Sequence, residues 1–586
     1  MNHKRAAVPR RHGMRSRLVV GLMIGWAGAP GAALAAGGDC ASLTAVSVGV
    51  STFVSAESIT SPVVASKGVT VSVPFCRVKG VARPSSDSEI KFEVWLPPTA
   101  AAWTGRLKVN GTGGFAGAVP FARLARDIAD GFVTAGSNMG HDGGENAAWT
   151  RGHPEKVKDW GLRAHHSVAT AAKALSLAFY AKPVRYAYFE GCSNGGRQSM
   201  MLAQNYPDLF DGIVAGAPSN FYPDLLMWLL WAGKQQVPVL GQPPVLSAEK
   251  RAMITQRVLA ACDADDGLVD GQITNPRACR FDIDSLGSRG DNRLTEAELK
   301  VIKAMYAGTT SETGEQRYTG AKLGSEASWD PDFADRGGYG RFIGHFVHGL
   351  TSPPFEWRRD INFSSAYDRV KVALTPITAA PSPDLTAFKN RGGKLIHYHG
   401  WNDSVVPPDG SINYLHALTQ FEKLRALPAV AFDRQVDRLS PQEVVATTQA
   451  FGAQVQKYHR LFMMPGIGHC GGGTGPGAIG GSVAEPTQAL RDAEHHVVSA
   501  VIKWVEEGVA PDRIVATKFG ANQVIERQRP LCPYPAQAAY KGSGDINVAS
   551  NFSCVMPKLH QRTIVPGDIL QIQNALRQRV LILPKR

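Results

Sequence analysis

Residues 1–35 contain no acidic residue and no apolar run long enough to span a membrane: the stretch Leu18 to Ala27 is far short of the ~20 residues a span needs. A stable membrane anchor is thereby disfavoured. The chain also lacks any basic run with interleaved aromatics, so nucleic acid is not an expected partner. Its glycine-rich stretch Asn110-Gly111-Thr112-Gly113-Gly114-Phe115-Ala116-Gly117 lacks the Lys-Ser/Thr ending of a phosphate-binding loop. No odd cysteine is left over among the 8.

What the N-terminus does contain is Lys4, Arg5, Arg10, Arg11, Arg15 and Arg17, then the apolar run, then Ala33-Leu34-Ala35. This is the order of a secretory signal, residues 1–35, cut before Ala36, which places the mature protein outside the cell or in the periplasm. Much of the formal net charge of +13 belongs to this segment. All eight cysteines follow it, and an even number bound for an oxidising compartment predicts four disulfides. At 586 residues the chain exceeds what one core usually serves, so two domains, or one with a large insertion, are expected.

Glu89 to Leu96 alternates like a half-buried strand, and short strands follow at Leu107–Val109 and Phe132–Thr134 with the glycine-rich loop between them. Such a loop straight after a strand can aim backbone N–H groups at an oxyanion. Asp159 to Leu177 has helical spacing, Tyr186–Phe189 reads as a strand, and Gly212–Gly216 as a second buried one. Strands alternating with helices give an α/β parallel sheet. The rhythm stops near Tyr222 and resumes near Leu385, and we read 222–384, with Trp228, Trp231, Phe333, Tyr339, Phe342, Phe346, Phe355 and Trp357, as an inserted lid. Strands at Lys394–Tyr398 and Arg460–Met464 and an amphipathic helix over Ala489–Glu507 complete the sheet region, while 557–586 carries no clear signal.

Gly191-Cys192-Ser193-Asn194-Gly195 lies between a strand and a helix, where a sharp turn would expose Ser193 above the sheet. A G-x-S-x-G match arises about 0.4 times by chance in such a chain, so it needs support. Support comes from Asp403 and His469, each just after a strand, in the order serine, acid, histidine of α/β-hydrolases. In that chemistry the histidine takes the serine proton during attack on a carbonyl, and the aspartate fixes its tautomer. Cys192 precedes the candidate nucleophile and Cys470 follows the candidate base. If serine and histidine meet, a Cys192–Cys470 disulfide follows.

With these residues in view the chain resembles the tannase and feruloyl esterase family of secreted α/β-hydrolases. The resemblance rests on Gly191 to Gln198, His399-Gly400 with Asp403, Gly468-His469-Cys470, Asp211 to Pro218, and Arg529 to Asp545, over about Cys40 to Cys554. It implies an α/β-hydrolase fold with catalytic segments 36–221 and 385–556, and a lid over 222–384. Residues 557–586 extend past the family's usual end. It implies a serine carboxylesterase acting on small aromatic esters such as feruloyl or galloyl esters, with the nucleophile, acid and base at Ser193, Asp403 and His469. One oxyanion N–H would come from Asn194 and another from within Thr112, Gly113 and Gly114. It also interprets Cys262 to Gln272: unaided, this is either a solvated acidic turn or a cation loop, and it is not an EF-hand. The family's structural calcium would be bound by the side chains of Asp263, Asp266 and Asp270 and the carbonyls of Leu268 and Gln272. Cys262 and Cys279 bracket this loop and are expected to pair, leaving Cys40–Cys76 and Cys532–Cys554 as local bridges. Specificity would reside in the lid, with Arg341, Phe342 and Phe346 as candidate substrate contacts. The alternatives are hydrolysis of terephthalate monoesters and, in another class, a calcium-stabilised secreted binding protein that has lost catalysis. Oligomeric state is left open.

Overall fold

A computed structural model describes residues 38–578 apart from 67, 144–145, 289–292, 348, 350–354 and 558–563. The signal segment 1–35 and its cleavage site lie outside the described residues. One nine-stranded sheet organises the chain: β1 (Ser51–Ile59), β2 (Phe75–Ala82), β3 (Ile90–Leu96), β4 (Arg106–Asn110), β5 (Val133–Ser137), β6 (Tyr186–Cys192), β7 (Gly212–Gly216), β8 (Lys394–Gly400) and β9 (His459–Met464). In space they run β1-β2-β3-β5-β4-β6-β7-β8-β9. The first three are antiparallel, β3 meets β5 antiparallel, and the strands from β5 to β9 are parallel. This is an α/β-hydrolase fold. Its central strands read as unbroken apolar or small runs because helices cover both faces; all five residues of β7 are buried.

Helix α1 (Ala164–Tyr180) precedes β6, and α2 (Asn194–Asn205) follows it. Beyond β7 the chain leaves the sheet through α3 (Tyr222–Gln236), started by Pro223 where the missing N–H costs nothing. It returns only at β8, so the break in the strand–helix rhythm marks a real excursion. Trp228, Tyr339, Phe342 and Trp357 are buried there, in one hydrophobic cluster that also contains Val109, Phe189 and Leu395 of the sheet. The excursion therefore shares the sheet's core.

Two helices differ from the sequence reading. The helix predicted over Ala489–Glu507 is α5 (Val497–Glu507), with α4 (Asp409–Leu424) preceding it in the chain. Asp492 Oδ1 accepts the N–H groups of Glu494 (2.7 Å) and His495 (3.0 Å) in a turn that competes with helix, and the His496 ring caps the new start from Ser499 N–H. In the stretch without signal, α6 (Pro566–Arg577) forms behind a proline at its first position and packs on α4.

Four disulfides close the fold: Cys40–Cys76, Cys192–Cys470, Cys262–Cys279 and Cys532–Cys554. No helix among the described residues is long and apolar enough to cross a membrane.

Candidate active site

Ser193 sits between β6 and α2 with φ 62° and ψ −123°, a conformation that L residues avoid. Such strain costs about 1–3 kcal/mol and persists only where the surroundings enforce it. They do so through glycines. A Cβ on Gly191 would lie 2.6 Å from the Gly195 carbonyl carbon, and one on Gly196 would lie 2.2 Å from Gly216 O. The strand and helix thus approach more closely than any side chain allows, and the serine is left at the top of the turn.

The acid and base arrive from the next two strands. Gly400 ends β8, and a Cβ there would meet Ile467 O at 2.2 Å, so the loop after β9 lies directly against it. Trp401 N–H donates to Met464 O and Asn402 N–H to Ile467 O, both at 2.9 Å, tying the two loops together. Asp403 and His469 follow on these loops. His469 Nε2 is 2.8 Å from Ser193 Oγ, and His469 Nδ1 is 2.7 Å from Asp403 Oδ2. Nδ1 therefore carries the proton and Nε2 accepts from the serine hydroxyl, the tautomer a general base requires. The Cys192–Cys470 bridge, with Cα atoms 6.0 Å apart, fastens the two turns immediately beside this contact.

Asp403 is fully buried. Burial alone would raise its carboxyl, but His469, together with hydrogen bonds from His399, holds it well below the usual carboxylate range. Its Oδ1 accepts the N–H groups of Val405 (2.9 Å) and Val406 (2.8 Å), and its Oδ2 faces both His469 and His399, the latter at 3.2 Å.

The glycine-rich loop after β4 lies against the start of α2: a Cβ on Gly195 would be 3.5 Å from Thr112 N. Of the candidate oxyanion donors, Thr112 is excluded because its N–H already donates to Gln198 Oε1 at 3.0 Å. Neither Gly113 N–H nor Gly114 N–H makes such a bond among the described residues, and a Cβ on Gly113 would meet nothing within 4 Å, so this part of the loop borders open space and Gly113 stays a candidate donor. Asn194 N–H is in the first turn of α2, where no carbonyl one turn back is available. Below it, fully buried Arg197 donates through Nε to Asn194 Oδ1 (2.6 Å) and through Nη1 to Gly161 O (2.9 Å), with its guanidinium 4.4 Å from the Trp160 ring centroid. Burial lowers this guanidinium to about 10. Gln198 and Arg197 hold the oxyanion loop and Asn194 in place; the sequence showed them only as letters of a motif, since their partners are remote in the chain.

Of the candidate substrate contacts, Phe342 is 0% exposed and packs among Phe115, Trp160 and Phe346. In this conformation it braces the oxyanion loop through Phe115 rather than facing a ligand. Phe346 is half-buried and stacked on it at 5.8 Å, and Arg341 is exposed.

In the acidic loop, Asp263 accepts the N–H groups of Asp270, Gly271 and Gln272 at 2.9–3.2 Å. Asp266 accepts from Leu268 N–H (3.0 Å) and the Thr274 hydroxyl, and Asp270 pairs with Arg529. Burial raises the Asp270 carboxyl against the pull of Arg529 and Arg527, and Asp266 and Asp263 raise it further by repulsion. Among the described residues no three His, Cys, Asp or Glu side chains converge as a ready metal cluster. Asp263, Asp266 and Asp270 present oxygen donors of the chemical kind Ca²⁺ takes, and the repulsion that Asp266 and Asp263 exert on Asp270 is one a cation would relieve.

Comparison with known proteins gives a consistent picture. The family profile described as tannase and feruloyl esterase matches residues 76–555. An uncharacterized esterase of Xanthomonas campestris pv. campestris is 37% identical over 546 residues, 88% of this chain and 91% of that protein. A probable feruloyl esterase B-2 of Aspergillus terreus is 29% identical over 501 residues, covering 83% of this chain and 87% of that one. The crystal structure of feruloyl esterase B from Aspergillus oryzae superposes with a TM-score of 0.76 at 26% identity, over 88% of this chain and 99% of that one.

Proposed function

From a chain that belongs to the tannase and feruloyl esterase family, we propose a secreted serine esterase that cleaves esters of phenolic acids through an acyl-enzyme on Ser193. The chain is a carboxylic ester hydrolase, which sets aside a binding protein without catalysis. The observation that carries the mechanism is the unbroken chain Ser193 Oγ, His469 Nε2, His469 Nδ1, Asp403 Oδ2, at 2.8 and 2.7 Å.

Attack by Ser193 Oγ on the ester carbonyl passes its proton to His469 Nε2. The imidazolium that forms is stabilised by Asp403, whose charge is secured by the donors around it. The developing oxyanion is received by the N–H groups of Asn194 and Gly113, donors already in place before the charge forms. His469 then protonates the leaving alcohol, and the same nitrogen later takes a proton from water as it attacks the acyl-enzyme. Exchange of the alcohol for water restores Ser193 and releases the acid.

Residues 1–35 would direct export, and 222–384 would act as the lid that shapes the acid pocket. Calcium would be held by Asp263, Asp266 and Asp270 with the carbonyls of Leu268 and Gln272. It would neutralise the loop's charge and take no part in the reaction. Chelation is expected to lower the melting temperature and Ca²⁺ to restore it, with the response lost in Asp263→Ala; a metal-free protein with an unchanged melt counts against the site.

Hydrolysis of methyl ferulate, methyl gallate, chlorogenate and a terephthalate monoester, each with wild type and Ser193→Ala, tests the function. Turnover of the first three by wild type alone is expected. Preference for the terephthalate ester would reassign the acid, and equal rates in Ser193→Ala would overturn the mechanism.

A further inference from the structure

Behind Asp403 a line of buried polar side chains continues away from the nucleophile. His399 Nε2 lies 3.2 Å from Asp403 Oδ2 and 2.9 Å from the Val406 carbonyl oxygen. Its Nδ1 is 2.6 Å from Ser411 Oγ on α4, and that hydroxyl is 2.8 Å from His397 Nε2. His397 Nδ1 in turn lies 3.3 Å from His459 Nε2 at the start of β9. All three histidines are 0% exposed, as are Ser411 and Asp403.

Hydrogen-bond accounting fixes where each proton sits. Both neighbours of His399 Nε2, a carboxylate and a carbonyl, can only accept, so Nε2 carries a proton. The ring's Nδ1 faces Ser411 Oγ and accepts that hydroxyl's proton. Ser411 Oγ, having given its one proton, accepts from His397 Nε2, and His397 Nδ1 accepts from His459 Nε2. Every donor points toward Asp403, and the run ends at His459 Nδ1, which has no hydrogen-bond partner among the described residues and needs no proton. Burial favours neutral rings at the far end of the run, since it lowers His397 well below the ordinary imidazole range and His459 to about 3. The carboxylate's four lone-pair sites are then filled by four donors: Val405 N–H, Val406 N–H, His469 Nδ1–H and His399 Nε2–H.

Resting on the esterase reading above, we propose that His399 is a positioning residue of the triad. Its Nε2–H sets the line of Asp403 Oδ2 toward His469, and its tautomer is set by Ser411, His397 and His459. The pairing of β8 with β9, which places Leu395 beside His459 and His399 beside Met463, is what brings this line into register. Periodicity alone does not distinguish His399 from an ordinary core histidine, and its place in the motif with Asp403 does not show what it bonds.

Loss of the His399 donor leaves Asp403 more basic, so it stabilises the His469 imidazolium more strongly and the acid limb of kcat/KM moves to higher pH. The other titratable groups facing this carboxylate are His469 from the loop after β9, His397 through Ser411, and Tyr318 of the 222–384 stretch; burial holds Tyr318 far above its ordinary range, so it stays neutral. His399→Leu is expected to lower kcat about ten- to hundredfold, the worth of one charge-assisted hydrogen bond, with KM within about twofold and the acid limb shifted upward. His399→Gln, whose amide can replace the Nε2 donor, is expected to recover most of kcat and the wild-type limb. Ser411→Ala, a smaller change with less risk to folding, is expected to reduce kcat about two- to tenfold in the same direction. If His399→Leu keeps wild-type kcat and limb, the proposal fails. It fails equally if kcat falls but the limb stays put and His399→Gln restores nothing, because a packing role alone would do that. Failure of the esterase reading has a separate signature, an active Ser193→Ala.

Discussion

Removing the Cys192–Cys470 bridge by the double change Cys192→Ala and Cys470→Ala tests whether the triad is pinned by covalent closure. The bridge joins residues 278 apart. In the chain-entropy treatment a loop of that length removes about 5.6 kcal/mol of denatured-state freedom. Unfolding a chain of this size carries an entropy change of about 1.1 kcal/mol per kelvin at roughly 2.1 cal/mol/K per residue, so the melting temperature falls by only about 5 °C. The kinetic consequence is the sharper one. His469 adjoins Cys470, a non-glycine residue with φ 55°, and the strained turn carrying Ser193 adjoins Cys192. Without the bridge, the 2.8 Å contact between nucleophile and base depends on the loop hydrogen bonds alone. Misplacement by an ångström costs about a hundredfold at most, and since the bonds from Trp401 and Asn402 remain, a loss of about tenfold in kcat is expected. Steady-state kinetics on an aryl ester at 25 °C, with urea melts on the same samples, provide the measurement. Wild-type kcat together with a midpoint unchanged within error would refute the reasoning.

Other consequences concern buried charge. Arg277 Nη2 pairs with Asp568 Oδ2 of α6 at 2.8 Å, and Asn413 Nδ2 donates to Asp568 Oδ1 at 2.8 Å, while Lys322 pairs with neighbouring Asp409. Asp568→Ala removes one of the two carboxylates that face buried Arg277, leaving Asp409 as the other, and is expected to destabilise the protein by about 1.5–3 kcal/mol, the worth of a hydrogen bond to a charged group, read by urea denaturation; an unchanged midpoint would contradict the pairing. Glu190, just before the nucleophile's strand ends, is fully buried. Burial works to raise it, but Arg123, Lys108 and the Ser482 hydroxyl hold it down to about 2. Because its folded value is depressed, the stability it contributes is present above about pH 4.5 and is lost as pH falls toward 2, some 3 kcal/mol in all. Glu190→Gln should flatten the acid limb of stability against pH over that window, and an unchanged slope would contradict the assignment.

The strand–turn–helix around Ser193, the order of Ser193, Asp403 and His469, and the alternation of the sheet were all legible in the chain, because each is written in residues a few positions apart. The adjacency of Cys192 and Cys470 to the reacting pair extended that reach, since a contact between two residues also constrains their neighbours. Helix ends were harder. The expected start at Ala489 was moved to Val497 by the side chain of Asp492, whose preference for a turn weighs against an amphipathic pattern that does continue. The helix at Pro566–Arg577 had its proline start in plain view but no long apolar stripe to announce it.

By itself, then, the sequence determined the sheet, the nucleophile's turn and the identity of the reacting groups, for these follow from local backbone preference and periodicity. Tertiary structure alone decided which amides remain free and where the protons lie. Thr112 lost its place as an oxyanion donor to Gln198, 86 residues away, and His399 gained its line to Asp403 through Ser411, His397 and His459 only when β8 and β9 lay side by side. A hydrogen bond needs its partner within about 3 Å at a favourable angle. No periodicity encodes which distant partner will fill that place.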